Sequence, residues 1–216
     1  MDVVENYKKV KAEIETINKK TNIIVVSKTF QLEILNPLLE LGHLDFGENK
    51  VQEAIKKWSN LKKTNNTIRL HLIGKLQRNK VKYIFDLFDF VHSLDSFELA
   101  DELNKYEKLK KKKISYFIQI NFDNELQKSG IKLSEFESFL NYCKNKASLN
   151  VIGLMCIPPF KKDPLSYFKY TRELAFKHNI SNLSMGMSND FQDAINFGST
   201  HVRVGTIIFG NRLART

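Results

Sequence analysis

The sequence predicts an α/β protein built as a single-domain, parallel (β/α)8 barrel. Short apolar segments typical of buried strands alternate with amphipathic segments typical of helices, and eight such units follow one another along the 216 residues. The connections are short, and no low-complexity linker or abrupt change of composition divides the chain. The alternative is an open α/β sheet, but no GxGxxG motif follows the first strand to support it.

The first two elements have clear patterns. Residues 3–17 carry apolar side chains at helical spacing, which predicts an amphipathic helix within the N-terminal segment 1–20. We expect this extra helix to cover the floor of the barrel. A β-branched run at 23–26 then predicts a buried strand that ends at Ser27 and Lys28.

The alternation continues through the middle of the chain. The expected strands are residues 44–46, 68–73, 90–91 and 114–120. The expected helices are residues 31–40, a segment from Val51 to Trp58, residues 77–85, and one that Ser96 can cap.

The last third of the chain supplies the remaining units. Ser134 and Glu137 have the spacing of a capping box, and Asp163-Pro164 is a typical helix start. The expected strands are residues 151–155, 182–184 and 201–204. The expected helices after the last two strands are residues 190–197, which Gly198 ends, and a final helix from Thr206.

Composition excludes several classes of protein. Hydrophobic residues are 42% and charged residues 27%, which is ordinary for a globular domain and unlike collagen or a disordered chain. No apolar run is long enough to span a membrane, and the N-terminus does not resemble a signal peptide. Cys143 and Cys156 stand alone without CxxC spacing. We therefore expect a cytoplasmic protein without disulfides.

The net charge of +10 comes mostly from lysine. A basic chain can bind RNA or an anionic membrane surface. Specific readers of nucleic acid favour arginine forks, however, and arginines are few here. We therefore expect neither a nucleic-acid partner nor a membrane partner.

Functional side chains of a parallel barrel gather at the carboxyl ends of its strands. The residues expected there are Lys28, Asn49, His71, Ser93, Asn121, Met155, Ser184, Arg203, Gly205 and Thr206. This set contains no carboxylate pair, no His/Cys cluster at metal-binding spacing and no Ser-His-Asp order. We therefore expect no metal site.

Two features at these strand ends allow two interpretations each. A lysine such as Lys28 usually extends into solvent, but an amine held inside a barrel mouth loses hydration and becomes a nucleophile for aldehydes. The loops around Ser188 and around Gly205-Thr206 suit ordinary helix caps and turns. Loops after the seventh and eighth strands are also a frequent phosphate site in barrels.

Arg203 is placed by the alternation of its strand. Val202 and Val204 share one face, so Arg203 lies on the other. If the valines pack under the helices, Arg203 points into the barrel. A buried arginine needs a partner, which is either a protein carboxylate or carbonyl or an atom of a ligand.

Seven stretches carry a more specific pattern. They are VVSKTF around Lys28, DFGENKVQEA around Asn49, HLIGKLQRNK from His71, HSLDS at 92–96, QINFDNELQKSGI from Gln119, GLMCIPP from Gly153 and LSMGMSNDFQDAINFGSTHVRVGTIIFGNR from Leu183. With them the sequence resembles the YggS/PROSC family of pyridoxal 5′-phosphate (PLP) homeostasis proteins. The resemblance follows the chain in order over nearly its whole length.

The resemblance implies one PLP-binding domain over residues 1–216. Its fold would be a TIM barrel of the alanine-racemase N-terminal-domain type, PLP fold type III. It implies that Lys28 forms an imine with PLP and that Arg203 faces the pyridine nitrogen. The phosphate-binding positions fall on Ser188, Gly205 and Thr206, and further cofactor-lining positions on Asn49, Met155 and Met185. Lys128 is a candidate for a secondary PLP or phosphate contact.

The resemblance also implies a carrier rather than an enzyme. We expect a monomer that buffers PLP and passes it to PLP-dependent apoenzymes. Arg203 remains protonated, so a pyridine nitrogen that accepts its hydrogen bond stays unprotonated and the ring is a weaker electron sink. Racemases of this fold take a tyrosine from an additional β domain, which we do not expect in a chain that ends at Thr216. The alternative is a PLP-dependent racemase or lyase that acts on amino acids.

Overall fold

Parallel strands form a closed barrel in this computed structural model, which describes residues 2–123, 129–159 and 162–210. The strands are β1 (Asn22–Val26), β2 (Asp45–Glu48), β3 (Arg69–Leu72), β4 (Phe90–Leu94), β5 (Ser115–Asn121), β6 (Ile131–Lys132), β7 (Asn150–Met155), β8 (Asn182–Met187) and β9 (His201–Val204). The short β6 pairs with β5 outside the ring, and β9 returns to pair with β1. Eight strands of the described residues close the ring, which confirms the predicted (β/α)8 barrel.

Helices surround the barrel. They are α1 (Val3–Ile17), α2 (Leu32–Glu40), α3 (Val51–Thr64), α4 (Phe97–Lys110), α5 (Phe136–Asn141), α6 (Leu165–Lys177), α7 (Phe191–Asn196) and α8 (Thr206–Phe209). The unit between β3 and β4 has a 3₁₀ helix at Arg78–Tyr83 where an α-helix was expected. Across the described residues, every helix falls short of the length and apolarity that a membrane span requires.

The N-terminal helix lies beside the barrel rather than under it. Its buried face, Tyr7, Val10 and Ile14, packs against α2, α7 and α8. Asn6 Nδ2 also donates to the backbone oxygen of Ile208 at 3.0 Å. Since α8 is only one turn long, α1 fills the gap it leaves in the outer ring. The expectation that this helix covers the floor is therefore wrong.

Two local expectations have different outcomes. Ser96 caps α4, as predicted, because its hydroxyl accepts from the Leu99 N–H. The capping box at Ser134 and Glu137 does not form. Residues Leu133–Glu135 make a 3₁₀ turn directly after β6, so α5 begins at Phe136, beyond the reach of the Ser134 hydroxyl as an N-cap.

The hydrophobic core lies mainly between the strands and the helices. Val202 and Val204 belong to it, together with Phe46, Trp58 and most other fully buried apolar side chains. Burying apolar surface contributes about 25 cal/mol per Å², so this outer layer supplies most of the stabilisation of the barrel.

Part of the barrel interior is polar. His71, His92 and His201 are buried there, with ring centroids between 5.2 and 6.4 Å apart. Phe90 stacks on His71 and Phe117 stacks on His92, at centroid distances of 4.3 and 4.2 Å. Since barrel interiors are usually filled by branched aliphatic side chains, this layer departs from ordinary packing.

Candidate functional site

Lys28 lies in a strained turn at the rim of the barrel. The Phe30 N–H donates to the Ser27 oxygen at 3.2 Å, which closes a β-turn over residues 27–30, called the rim turn below. Lys28 is the second residue of this turn and Thr29, with φ of 72°, is the third. A left-handed backbone at this position favours glycine, and for a β-branched residue it is a genuine outlier. Such strain is retained mainly where a site needs it.

A buried carboxylate holds the rim turn from outside. Glu48 Oε1 accepts from Ser27 Oγ at 2.7 Å, from Lys57 Nζ at 2.7 Å and from Trp58 Nε1 at 2.9 Å. Lys57 Nζ also donates to the Ser27 backbone oxygen at 2.7 Å. Glu48 is completely buried. The end of β1 is therefore fixed by charged hydrogen bonds from β2 and α3.

The interior side of β1 is identified by its neighbours. A Cβ on Gly47 would meet the side chain of Ile24 at 2.9 Å, so Ile24 faces the interior. Strand alternation puts Val26 on the same side, and a Cβ on Gly205 would meet Val26 at 3.1 Å. The partly buried Lys28 follows two residues later at the mouth.

Arg203 occupies the interior of the neighbouring strand. It pairs with Ile24 in the register of β9 with β1, and only 4% of it is exposed. Its Nη1 donates to Ser184 Oγ at 2.6 Å and its Nη2 to the Cys156 backbone oxygen at 2.9 Å. Burial lowers the pKa of Arg203 to about 10, which leaves it protonated at neutral pH. Val202 and Val204 pack in the core, so the prediction that Arg203 points into the barrel is confirmed.

A hydrogen-bonded line runs from Arg203 through the barrel. Ser184 Oγ lies 2.8 Å from His92 Nδ1, His92 Nε2 lies 3.0 Å from His71 Nδ1, and His71 Nε2 lies 3.0 Å from Asp45 Oδ1. These five residues are called the interior network below. The network joins four strands, β2, β3, β4 and β8, to Arg203 on β9.

The loops after β8 and β9 meet at Ser188. Its hydroxyl oxygen accepts from the backbone N–H groups of Gly205 and Ile207, both at 3.3 Å. Thr206 is exposed beside them. Two backbone donors therefore converge on the Ser188 hydroxyl where the sequence predicts a phosphate, and we call Ser188, Gly205 and Thr206 the cradle.

The other expected lining residues differ in position. Asn49 borders a cavity of about 300 Å³ at the mouth, together with Gly74, Gln119 and other residues of β5 and of the loops that follow β3, β5 and β7. Met155 is fully buried and stands outside the main core cluster. Met185 is also fully buried but belongs to that cluster, so its side chain packs toward the helices. Lys128 lies outside the described residues.

Sequence reasoning missed the residues that support the site. His92, Asp45, Glu48 and Lys57 were not singled out, because none of them belongs to a local motif and their partners lie on other strands or helices. The position of His92, two residues into a buried strand, is one sequence signal that could have identified it as part of the site. Within the described residues no cluster of three or more histidine, cysteine or acidic side chains has the geometry of a metal site.

Comparisons with known proteins give the family. The alanine racemase N-terminal domain family matches residues 2–212. A pyridoxal phosphate homeostasis protein of Aquifex aeolicus is 37% identical over 199 residues, which cover 88% of this chain and 86% of that protein. Its Escherichia coli K12 counterpart is 34% identical over 203 residues, covering 90% and 87%. The chain belongs to the family of pyridoxal phosphate homeostasis proteins. The resemblance to the YggS/PROSC family is thereby confirmed.

Solved structures agree with this family assignment. PipY of Synechococcus elongatus without PLP superimposes with a TM-score of 0.89 at 28% identity, over 97% of this chain and all of that one. The PLP-bound form of PipY gives 0.86 at 29% identity. Alanine racemase from Corynebacterium glutamicum gives 0.70 at 16% identity over 62% of its length, which concerns the fold alone. This member of the homeostasis family therefore has a barrel of the alanine-racemase type.

Proposed function

We propose that this homeostasis-family protein binds PLP covalently at Lys28 and carries it, without a catalytic role of its own. The observation that supports this most is the pairing of β1 with β9. It puts the Lys28 amine, on the strained rim turn, and the buried Arg203 guanidinium at the ends of adjacent strands, roughly 13 Å apart along the strand at about 3.3 Å per residue. The names of the relatives and the PLP-bound PipY structure support the same ligand.

The residues at the mouth fit the chemistry of PLP. Lys28 would react with the aldehyde, the cradle would accept the phosphate, and Arg203 would donate to the ring nitrogen. Arg203 fits because, among the described residues, its hydrogen bonds go to a hydroxyl and a carbonyl and use two of its five N–H groups. The cradle fits because the Gly205 and Ile207 amides converge on one oxygen atom.

Side chains of this protein account for the binding of PLP in this proposal. Lys28 Nζ forms an imine with the aldehyde carbon, and the aldehyde oxygen leaves as water, so no further reactant is needed. When bound, PLP supplies an aldehyde and an electron-withdrawing ring. A protonated Arg203 keeps the ring nitrogen unprotonated and thereby weakens that withdrawal. This favours storage over transformation of amino acids.

A carrier role also agrees with the comparisons. The relatives at 34–37% identity are named for homeostasis, which supports a function other than catalysis. Cys143 and Cys156 are free and buried, as suits a reducing cytoplasm. We propose that the protein acts there as a monomer and delivers PLP to PLP-dependent apoenzymes.

Reductive trapping tests the proposal. The protein is incubated with PLP, reduced with borohydride, digested and analysed by mass spectrometry. We expect the adduct on Lys28, its loss in Lys28→Ala, and its retention in Lys50→Ala, which removes an exposed lysine at the same rim. An adduct confined to other lysines would contradict the proposal.

Turnover separates a carrier from an enzyme. Racemisation, transamination and elimination are measured on a panel of amino acids with the wild type and with Lys28→Ala. We expect no turnover that depends on Lys28, together with transfer of PLP from the wild type to an apo-transaminase. Robust Lys28-dependent turnover would instead favour the racemase or lyase interpretation.

A further inference from the structure

The interior network has one end that can only donate hydrogen bonds and one that can only accept them. The Arg203 guanidinium carries N–H groups and no acceptor. At the other end, burial opposes ionisation of Asp45, but hydrogen bonds from His71 and Arg69 outweigh it and hold the pKa of the carboxyl at about 2. Asp45 is therefore a carboxylate, which only accepts.

These ends fix every hydrogen between them. Ser184 Oγ accepts from Arg203 and gives its own hydrogen to His92 Nδ1. His92 then carries its hydrogen on Nε2 and donates it to His71 Nδ1, and His71 donates from Nε2 to Asp45. Both histidines are neutral in this arrangement, and each donates its hydrogen in the direction of Asp45.

The reverse order is disfavoured. If His92 carried its hydrogen on Nδ1, His71 would have to donate from Nδ1. His71 would then present a bare Nε2 to the Asp45 carboxylate, or it would need a second proton. Burial opposes that second proton, because it lowers the pKa of His71 and, more strongly, that of His92. The network therefore has a single favourable arrangement.

We propose that Ser184, His92 and His71 are positioning residues, anchored at Asp45, that hold Arg203 as a hydrogen-bond donor to the ring nitrogen of bound PLP. This inference rests on the proposed function. Ser184 is the decisive link, because its hydroxyl has its hydrogen committed to His92 and so presents only a lone pair to Arg203. Because the Ser184 hydrogen is donated to His92, the network cannot pass a proton from the buried histidines to the ring nitrogen of PLP.

The arrangement of hydrogens can be tested without PLP. Long-range ¹H–¹⁵N NMR of histidine side chains at pH 7 distinguishes the two neutral tautomers. We expect His71 and His92 to be neutral with the hydrogen on Nε2. A hydrogen on Nδ1 of His92, or a doubly protonated His71, would overturn the inference.

The effect on PLP is tested with variants and a matched control. Ser184→Ala and His92→Phe break the network, whereas His92→Asn keeps an acceptor near Ser184. His201→Phe is the control, since His201 is buried in the same layer but bonds to Thr200 and Asn22 instead. Circular dichroism melting establishes that each variant is folded.

The readouts are the absorption maximum of bound PLP and its dissociation constant. We expect Ser184→Ala and His92→Phe to shift the maximum and to weaken binding about tenfold or more, with partial recovery in His92→Asn and no change of maximum in His201→Phe. Unchanged values in folded Ser184→Ala, with a wild type that binds PLP, would refute this inference alone. A wild type that binds no PLP would refute the proposed function and this inference with it.

Discussion

Lys57 Nζ donates to the backbone oxygen of Ser27 at 2.7 Å, and so ties helix α3 to the turn that carries Lys28. The same ammonium pairs with Glu48, which is completely buried. One oxygen of Glu48 takes three hydrogen bonds, while its Oε2 has no partner among the described residues. The position of Lys28 therefore depends on an ion pair that tolerates little change.

Lys57→Met tests this dependence. It leaves Glu48 buried without its charge partner, so we expect the free energy of unfolding to fall by about 3 kcal/mol and PLP to dissociate faster. Urea unfolding and PLP release are measured together. The double variant Lys57→Met, Glu48→Gln removes both charges and should recover part of the stability. Equal stability of Lys57→Met and the wild type would contradict a structural role of the Glu48–Lys57 ion pair.

Thr29→Gly tests the strain of the rim turn. The left-handed backbone of Thr29 costs roughly 1–2 kcal/mol for a residue with a Cβ, partly offset in glycine by its greater freedom when unfolded. We expect the free energy of unfolding to rise by about 0.5–1 kcal/mol in urea denaturation. Thr67→Gly, at an exposed position without a left-handed backbone, should lower it. A loss of stability in both variants would argue against strain.

The cradle is tested by Ser188→Ala combined with Thr206→Val. The pair removes two hydroxyls where we propose the phosphate binds, so we expect weaker PLP retention, while high PLP concentration still allows the bond to Lys28. Equilibrium dialysis followed by borohydride trapping measures both quantities. Thr64→Val, an exposed change at the end of α3, serves as the control. Unchanged retention in the cradle variant would show that the phosphate binds elsewhere.

Acid should destabilise the protein before its carboxylates titrate. Burial lowers the pKa of His43, His71 and His92, and lowers that of His201 to about 3. Below an ordinary histidine pKa of about 6.5, the unfolded state binds protons that the folded state refuses. Stability is thus fully present above about pH 6.5 and is lost as the pH falls toward the folded values.

The size of this effect is measurable. Each such histidine adds a slope of about 1.4 kcal/mol per pH unit to the free energy of unfolding in that window. Urea unfolding at several pH values between 7.5 and 4.5, roughly the interval in which these groups act, gives the slope. His201→Phe removes one of these histidines, so it should lower the slope by about 1.4 kcal/mol per pH unit. A flat profile would mean that the buried histidines take up protons in the folded state.

Local pattern was enough to predict the barrel and the direction of Arg203. The last strand was predicted with its observed ends, because two valines at alternate positions fix both its type and its buried face. The loops at Ser188 and Gly205 were expected to meet because they follow neighbouring strands. These inferences depend only on residues close in sequence and on the order of strands.

The support of the site could not be predicted in this way. Ser184 and His92 are 92 residues apart, and their contact depends on how the strands are arranged around the barrel interior. Glu48 and Lys57 are close in sequence, but their role appears only when the end of β1 is in place. The capping box failed for a similar reason, since the preceding β6 imposes a 3₁₀ turn on Ser134.

Trp58 gives this architecture a practical consequence. It is the one tryptophan of the chain, it is completely buried, and its indole N–H is bonded to the same Glu48 oxygen that receives the Ser27 hydroxyl. Its fluorescence emission therefore reports on Glu48, the carboxylate that holds the turn carrying Lys28. If the hydrogen bonds to Glu48 break, the emission of Trp58 should shift toward that of a hydrated indole. The protein thus contains an intrinsic optical probe of its own attachment point, and no external label is required.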